Sequence, residues 1–309
     1  MELSVSEITK SFGENKVLEG VNFKATSGSA LGLLGRNGAG KTTTIRIIMG
    51  VFPPNSGYVT VNGRPLDKDK LSVGYLPEDR GLYPKHVIGE QLIYLARLRG
   101  MKAKDAKASI AHWMKRLEMQ EYANKKLITL SKGNQQKIQL MASLIADPKL
   151  IILDEPFSGL DPVNASMLKD VVQELIQDGK IVLFSSHQMN YVEEFCDSIA
   201  ILHQGKIVLD GQIRDIKRSY DRSIITVRSM QNDVIENFCL ARLRDLVGQT
   251  RKKRDELIIS LKGPDQKNKL IGALAAQNFD LDSIGVYEPT LEDIFVQYTG
   301  DDMQTGERV

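Results

Sequence analysis

The chain has 309 residues, of which 42% are hydrophobic and 26% charged, with a formal net charge of +2. That length and balance allow one large domain or two ordinary ones with substantial cores. The net charge is too small to argue for nucleic acid by bulk electrostatics. Cys196 and Cys239 are far apart in sequence and offer no metal-type spacing, which favours a reduced, intracellular chain. The first residues, Met1-Glu2-Leu3-Ser4, lack a basic segment followed by an apolar one, so no secretory signal is expected. The longest apolar runs fall well short of the ~20 residues that span a bilayer, so any work at a membrane would need another chain to do the spanning.

In chain order, residues 3–23 alternate in a strand-like way around a turn at Gly13-Glu14-Asn15. Residues 30–34 form an apolar run that predicts a buried strand. Gly35-Arg36-Asn37-Gly38-Ala39-Gly40-Lys41-Thr42-Thr43 follows, and residues 44–49 predict a helix. Glycine, four residues, then Gly-Lys-Thr between a strand and a helix is the P-loop pattern. The glycines let backbone approach a phosphate without Cβ clashes. The helix start adds unpaired N–H groups and a positive dipole end. In such a loop Lys41 reaches the outer phosphates and the Thr42 hydroxyl sits on Mg²⁺. A structural glycine turn is the plainer alternative, and these flanks argue against it.

Residues 57–63 predict a short strand ending in an Asn-Gly turn, and residues 73–77 a strand entering a loop. Between residues 86 and 119, apolar residues recur at three- and four-residue steps, as in Ile88, Leu92 and Leu95, so this stretch predicts a helical insertion. Trp113 and Met114 are assigned to packing. In Leu130-Ser131-Lys132-Gly133-Asn134-Gln135, Ser131 is placed to cap a helix running to Ile145, and Gly133 lets an anion approach. This is a second phosphate-ready helix start in one chain. One γ-phosphate does not need two such sites from one subunit, whereas two subunits could each present this site to the other's nucleotide. Residues 149–153 predict an apolar strand, and Asp154-Glu155 follows. Downstream of a P-loop, Asp154 suits Mg²⁺ and Glu155 is placed to polarise the attacking water. Acids at a strand end are otherwise simply solvated. A helix over 165–177, a strand over 181–184, a helix over 190–196 and a hairpin turning at Gln204-Gly205 complete an alternation expected to give a mainly parallel sheet.

A boundary is expected near Arg218–Arg222. Beyond it the predicted order is strand 224–228, helix 233–244, strand 246–250, strand 256–261, helix 266–277 and strand 281–286. This βαββαβ order suggests a ferredoxin-like module. A last helix starts near Pro289, with Thr290 and Asp293 at the two positions of a capping box. The run Arg251-Lys252-Lys253-Arg254 reads as a solvated hairpin tip.

The ordered motifs resemble those of the ATP-binding subunit of an ATP-binding-cassette (ABC) transporter, over roughly residues 1–211. Leu130 to Asn134 is similar to the family's Leu-Ser-Gly-Gly-Gln signature, with Lys132 and Asn134 as departures. Ser158-Gly159-Leu160-Asp161 resembles its D-loop, and His187 its switch histidine. Phe12 stands where an aromatic stacks on adenine. Where the family has Gln after a strand, this chain has Pro77-Glu78-Asp79-Arg80, so Glu78 adds negative charge near Mg²⁺ and the attacking water. The loop usually contacts the transmembrane partner, which makes Arg80, Leu82, Tyr83 and the helix from Ile88 interface candidates. The wording of residues 74–84 and 289–295 is similar to bacterial exporter ATPases of the ABC-2 type, a group with sodium-efflux and antibiotic-resistance members.

The resemblance implies an α/β fold. A P-loop NTPase cassette over 1–218 would combine a mainly parallel sheet, an antiparallel β subdomain and a helical subdomain at about 86–147. A small α+β domain over 219–309 would serve an accessory or regulatory role. It implies hydrolysis of Mg-ATP in a head-to-tail dimer with a second copy or a homologous cassette, powering export through a polytopic ABC-2 permease at the cytoplasmic face of the membrane, with no nucleic acid expected. The implied nucleotide residues are Phe12, Gly35 to Thr43, Glu78, Ser131, Gly133, Asn134, Gln135 and Asp161. The implied catalytic residues are Lys41, Glu155 and His187, and the metal residues Thr42, Asp154 and Glu78. The competing expectation is a soluble ABC ATPase acting on nucleic acid or ribosomes. The single cassette and short insertion disfavour it, and the basic run at 251–254 is its best support.

Overall fold

The computed structural model describes residues 1–66, 72–79, 81–158, 160–186, 188–253 and 255–300. The chain divides into two compact units: Met1–Ile213 with the residues from Phe295 on, and Arg214–Ile294.

In the first unit, β1 (Glu2–Phe12) and β2 (Asn15–Thr26) form a hairpin. Leu3, Val5 and Ile8 on one strand, and Leu18, Val21 and Phe23 on the other, are buried, which is the period-two signal of a one-sided sheet. β3 (Ser29–Leu34) is buried along almost its whole length and leads to α1 (Lys41–Ile48). β4 (Ser56–Val61), β5 (Arg64–Pro65) and β6 (Val73–Leu76) follow, then α2 (Ile88–Leu98), α3 (Ala103–Arg116) and α4 (Lys132–Leu144). The alternation then resumes with β7 (Leu150–Asp154), α5 (Pro162–Gln177), β8 (Ile181–Ser185), α6 (Met189–Phe195), β9 (Ser198–His203) and β10 (Lys206–Gln212).

The central sheet has the order β10-β9-β3-β8-β7-β6. All its neighbours are parallel except β10, which pairs antiparallel with β9. β7 and β8 are buried at every residue, as parallel strands covered on both faces must be. A second, antiparallel sheet has the order β2-β1-β4-β5. One apolar cluster joins the layers: Val5, Val21 and Phe23 from the antiparallel sheet, Ile45 and Ile48 from α1, and Leu33, Ile152 and Leu183 from the parallel one. Each such side chain, fully buried, contributes about 1.5–3 kcal/mol. The fold is thus an α/β P-loop cassette with an antiparallel β subdomain and a helical insertion.

The second unit is α+β. After α7 (Ile213–Arg218) come β11 (Ile224–Arg228), α8 (Asn232–Arg242), β12 (Val247–Lys253), β13 (Glu256–Leu261), α9 (Lys267–Ala275), β14 (Ser283–Val286) and the start of α10 (Leu291–Thr299), whose residues from Phe295 on belong to the first unit. The sheet order is β12-β13-β11-β14 and every neighbouring pair is antiparallel, so each helical crossover skips one strand. Ile225, Val227, Ile235, Leu257, Ile259, Leu270 and Leu274 form its core.

The basic run lies at the hairpin end, as expected: Arg251, Lys252 and Lys253 are exposed and finish β12, and Lys253 stands opposite Glu256, the first residue of β13. Lys252 pairs with Asp233 and with Glu236, the latter at 2.9 Å, and Lys253 pairs with Asp293 at 3.2 Å. The Arg251 guanidinium lies 6.0 Å from the Tyr287 ring centroid. Arg254 lies outside the described residues. The two lysines are therefore paired with carboxylates of their own module.

Thr290 and Asp293 form the reciprocal cap at the start of α10. The Asp293 N–H donates to Thr290 Oγ1 at 3.1 Å, and the Thr290 N–H donates to Asp293 Oδ2 at 3.2 Å. Burial alone would raise the Asp293 carboxyl, but the Thr290 hydroxyl and Lys253 outweigh it and hold the group below its ordinary range. Replacing Thr290 with Ala is expected to destabilise this unit by about 1 kcal/mol, and Thr290→Ser to restore most of it. Urea unfolding followed by circular dichroism checks this, and equal midpoints for wild type and Thr290→Ala would contradict the cap.

Candidate nucleotide-binding and catalytic site

Four parallel strands end on one edge of the central sheet, and each places a candidate group just beyond its last residues. β3 leads into Gly35, β7 ends at Asp154 before Glu155, β8 leads to Ser186, and β6 leads to Pro77 and Glu78. This is the carboxyl edge, where open parallel sheets hold their ligands.

The glycine-rich turn closes directly onto α1, which begins at Lys41 rather than at Thr44. Gly40 has φ +111°, and a Cβ there would sit 2.5 Å from Leu18 Cδ2, so the turn requires glycine. The Ala39 N–H donates to Arg36 O at 3.1 Å, and Thr44 Oγ1 donates back to Gly40 O at 3.0 Å. Lys41 Nζ donates to Gly35 O at 2.6 Å and to Arg36 O at 3.4 Å, so the ammonium folds over its own loop. Arg36, Asn37, Gly38 and Thr42 are exposed, and Thr43 is half-buried.

The electrostatics are set by burial. Desolvation lowers the Lys41 pKa, while Glu155, Asp154 and Glu78 oppose it by their negative charge. Asp154 is buried and its pKa is raised by that burial, against a hydrogen bond donated by the Tyr75 hydroxyl to Oδ2 at 3.3 Å. Tyr75 in turn is pushed up to about 12 by burial and by Asp154. Glu155 is buried and has φ +50°, a left-handed conformation uncommon for a residue with a side chain. Its backbone N–H donates to Ser185 O at 2.8 Å, and Ser186 Oγ donates to Glu155 Oε2 at 3.0 Å. A positive end folded onto its loop, with buried carboxylates beside it, can exchange these internal contacts for a polyphosphate and its cation.

The signature segment sits in different surroundings. Ser131 caps α4 by accepting from the Asn134 N–H at 3.3 Å, and Gln135 Nε2 donates to Leu130 O at 2.9 Å. Gly133 packs on the first turn of α5, where a Cβ would lie 2.6 Å from Asn164 Nδ2. Its lack of a side chain thus has a packing reason besides the approach of an anion. Asp161 caps α5, accepting from the Val163 and Asn164 N–H groups at 3.0 Å each. The bonds from Asn164, foremost, hold the Asp161 carboxyl below its ordinary range.

Phe12 is half-exposed and meets Phe52 edge to face, with centroids 5.6 Å apart and planes at 88°. Lys10 Nζ lies 5.4 Å from the Phe12 centroid and 5.0 Å from that of Phe52. His187 and Gly159 lie outside the described residues. Sequence reasoning did not single out Tyr75, Ser186, Phe52 or Lys10. Each acts through a neighbour on another segment, and no local spacing marks it.

Comparison with known proteins agrees with this architecture. The family described as "ABC transporter" matches residues 18–158, and that described as "ATP-binding protein DrrA1-3-like, C-terminal domain" matches residues 211–299. The uncharacterized ABC transporter ATP-binding protein YhaQ of Bacillus subtilis strain 168 is 39% identical over 299 residues, covering 96% of this chain and 98% of the relative. The linearmycin resistance ATP-binding protein LnrL of the same organism is 32% identical over 307 residues, covering 96% and 98%. A solved structure described as the ATP binding subunit of an ABC transporter superposes with a TM-score of 0.65 at 30% identity, covering 71% of this chain and 92% of its own. The chain therefore belongs to the ATP-binding proteins of ABC transporters, cassettes that bind and hydrolyse ATP.

Proposed function

We propose that two copies of this chain, or this chain and a homologous cassette, close head to tail on two ATP molecules. Each nucleotide would lie between Gly35 to Thr43 of one subunit and Ser131, Gly133, Asn134 and Gln135 of the other. The observation that carries this reading is the second capped helix start, at α4. Its first turn packs on the Asp161–Asn164 cap of α5 and keeps an exposed serine at its tip.

In this reading Lys41 leaves Gly35 O for the outer phosphates, and Phe12 stacks on adenine. Glu155 orients the attacking water with His187, and Asp161 faces the partner subunit. The residues fit Mg²⁺: Thr42 offers a hydroxyl and Asp154 a carboxylate, with Glu78 a further carboxylate, and these hard oxygens suit that ion. Among the described residues, no group of three or more His, Cys, Asp or Glu is arranged to hold a metal. That suits an ion held largely by nucleotide phosphates and water. When bound, Mg²⁺ supplies charge neutralisation on the phosphates.

The work is export through a separate polytopic permease of the ABC-2 type, with this chain at the cytoplasmic face of the membrane. Among the described residues, no helix is long and apolar enough to cross a membrane. Relatives are named for linearmycin resistance and for Nod factor export. Tyr83 of the preceding loop and Tyr94, Leu98 and Ile128 of the helical subdomain are exposed and supply the apolar surface for such docking. The nucleic-acid reading is weakened, since Lys252 and Lys253 are ion-paired within their own unit.

Glu155→Gln is expected to keep ATP binding, lower turnover at least ~100-fold and accumulate an ATP-bound dimer on size exclusion. Turnover at the wild-type rate would remove Glu155 from the base position. Lys41→Ala is expected to weaken ATP binding about tenfold or more by equilibrium titration, and unchanged affinity would count against the phosphate role. Excess EDTA is expected to reduce phosphate release to background, with recovery on adding Mg²⁺; EDTA-resistant turnover would contradict a metal role. Affinity capture from membranes should bring down a polytopic chain, whereas recovery of ribosomes or DNA instead would favour the other reading.

A further inference from the structure

α4 carries two side chains that neither the P-loop nor the signature accounts for. Gln139 is buried, and its Nε2 donates to both Pro77 O and Asp79 O at 3.1 Å. These two carbonyls flank Glu78. Three residues earlier on the same helix face, Gln136 Nε2 donates to Pro156 O at 3.3 Å, just beyond Glu155. One face of one helix therefore grips the backbone of both carboxylate-bearing loops. The amide suits this position, because its single nitrogen carries two N–H donors, one for each carbonyl, and no charge, whereas a carboxylate has no donor. The N-terminus of α4 lies only about 12 Å along the helix from Gln139.

We propose that Gln139, supported by Gln136, is a positioning residue that ties the Glu78 loop to α4, so that the helix serving one nucleotide sets the carboxylate at the other. This rests on the head-to-tail reading above for its two-site consequence, while the tie itself lies within one chain. A movement of Ser131–Gln135 onto a partner's phosphate displaces α4 as a rod. The two bonds of Gln139 carry that displacement to Glu78, whose charge acts on Lys41. The two sites thereby become coupled through a hydrogen-bonded contact rather than through solvent.

The test is a double-variant cycle on the full-length protein, reading kcat and KM for ATP. Gln139→Met keeps length and apolar volume and removes both donors. It is expected to lower kcat about tenfold and to leave KM within about twofold. Combined with Glu78→Ala, it should cause no further loss, because the group it positions is gone. Gln139→Glu keeps the shape and also lacks the donors, so it should reproduce the loss if Gln139→Met fails to fold. Independent, multiplicative effects of the two substitutions, or a kcat unchanged in a folded Gln139 variant, would overturn the proposal. Absence of ATP turnover in the wild-type protein would instead count against the function proposed above.

Discussion

The structure depends on a buried charge imbalance at the carboxyl edge of the parallel sheet. Lys41 is taken out of water with Asp154 and Glu155 close by, and Glu78 adds a further negative charge. Desolvation disfavours the ammonium and the Asp154 carboxylate alike, and the ammonium is held by the carbonyls of its own loop. Such a site is poised for a ligand that brings both negative phosphates and a cation. The apolar strands around it make this possible: β3 is buried along almost its whole length, and β7 and β8 at every residue.

The elements around the edge hold those charges in place. Gly40 turns the chain where a side chain would strike Leu18, so α1 begins at Lys41 itself. Tyr75 and Ser186, from the flanking β6 and the end of β8, each donate a hydroxyl to one of the two acids. α4 ties the loops beyond β6 and β7 through Gln139 and Gln136. The signature segment forms the first turn of that same helix, directly before Gln136.

Much of this is legible in the sequence wherever the physics is local. Glycine spacing marks the P-loop, Ser131 and Thr290 mark helix starts by their capping hydroxyls, and the all-apolar runs at 30–34 and 149–153 mark buried parallel strands. The legibility ends where a residue acts across strands. Tyr75 reaches Asp154 only because β6 pairs with β7, and Phe52 reaches Phe12 only through folding of the antiparallel sheet, pairings that no short window encodes. β12 was missed at its basic end for a related reason. It is an edge strand, so from Gly248 on its residues are exposed or half-buried and show no clean alternation.

The central claim is that the P-loop of one subunit and the signature of another enclose the same nucleotide. A mixture of Asn37→Cys and Asn134→Cys chains, oxidised with and without ATP, tests it most directly. Cys196 and Cys239 are buried and provide a low background. The account predicts a disulfide-linked species of twice the chain mass that forms in the mixture and strengthens with ATP. A mixture that gives no cross-link between chains in ATP, with nucleotide bound, would contradict it.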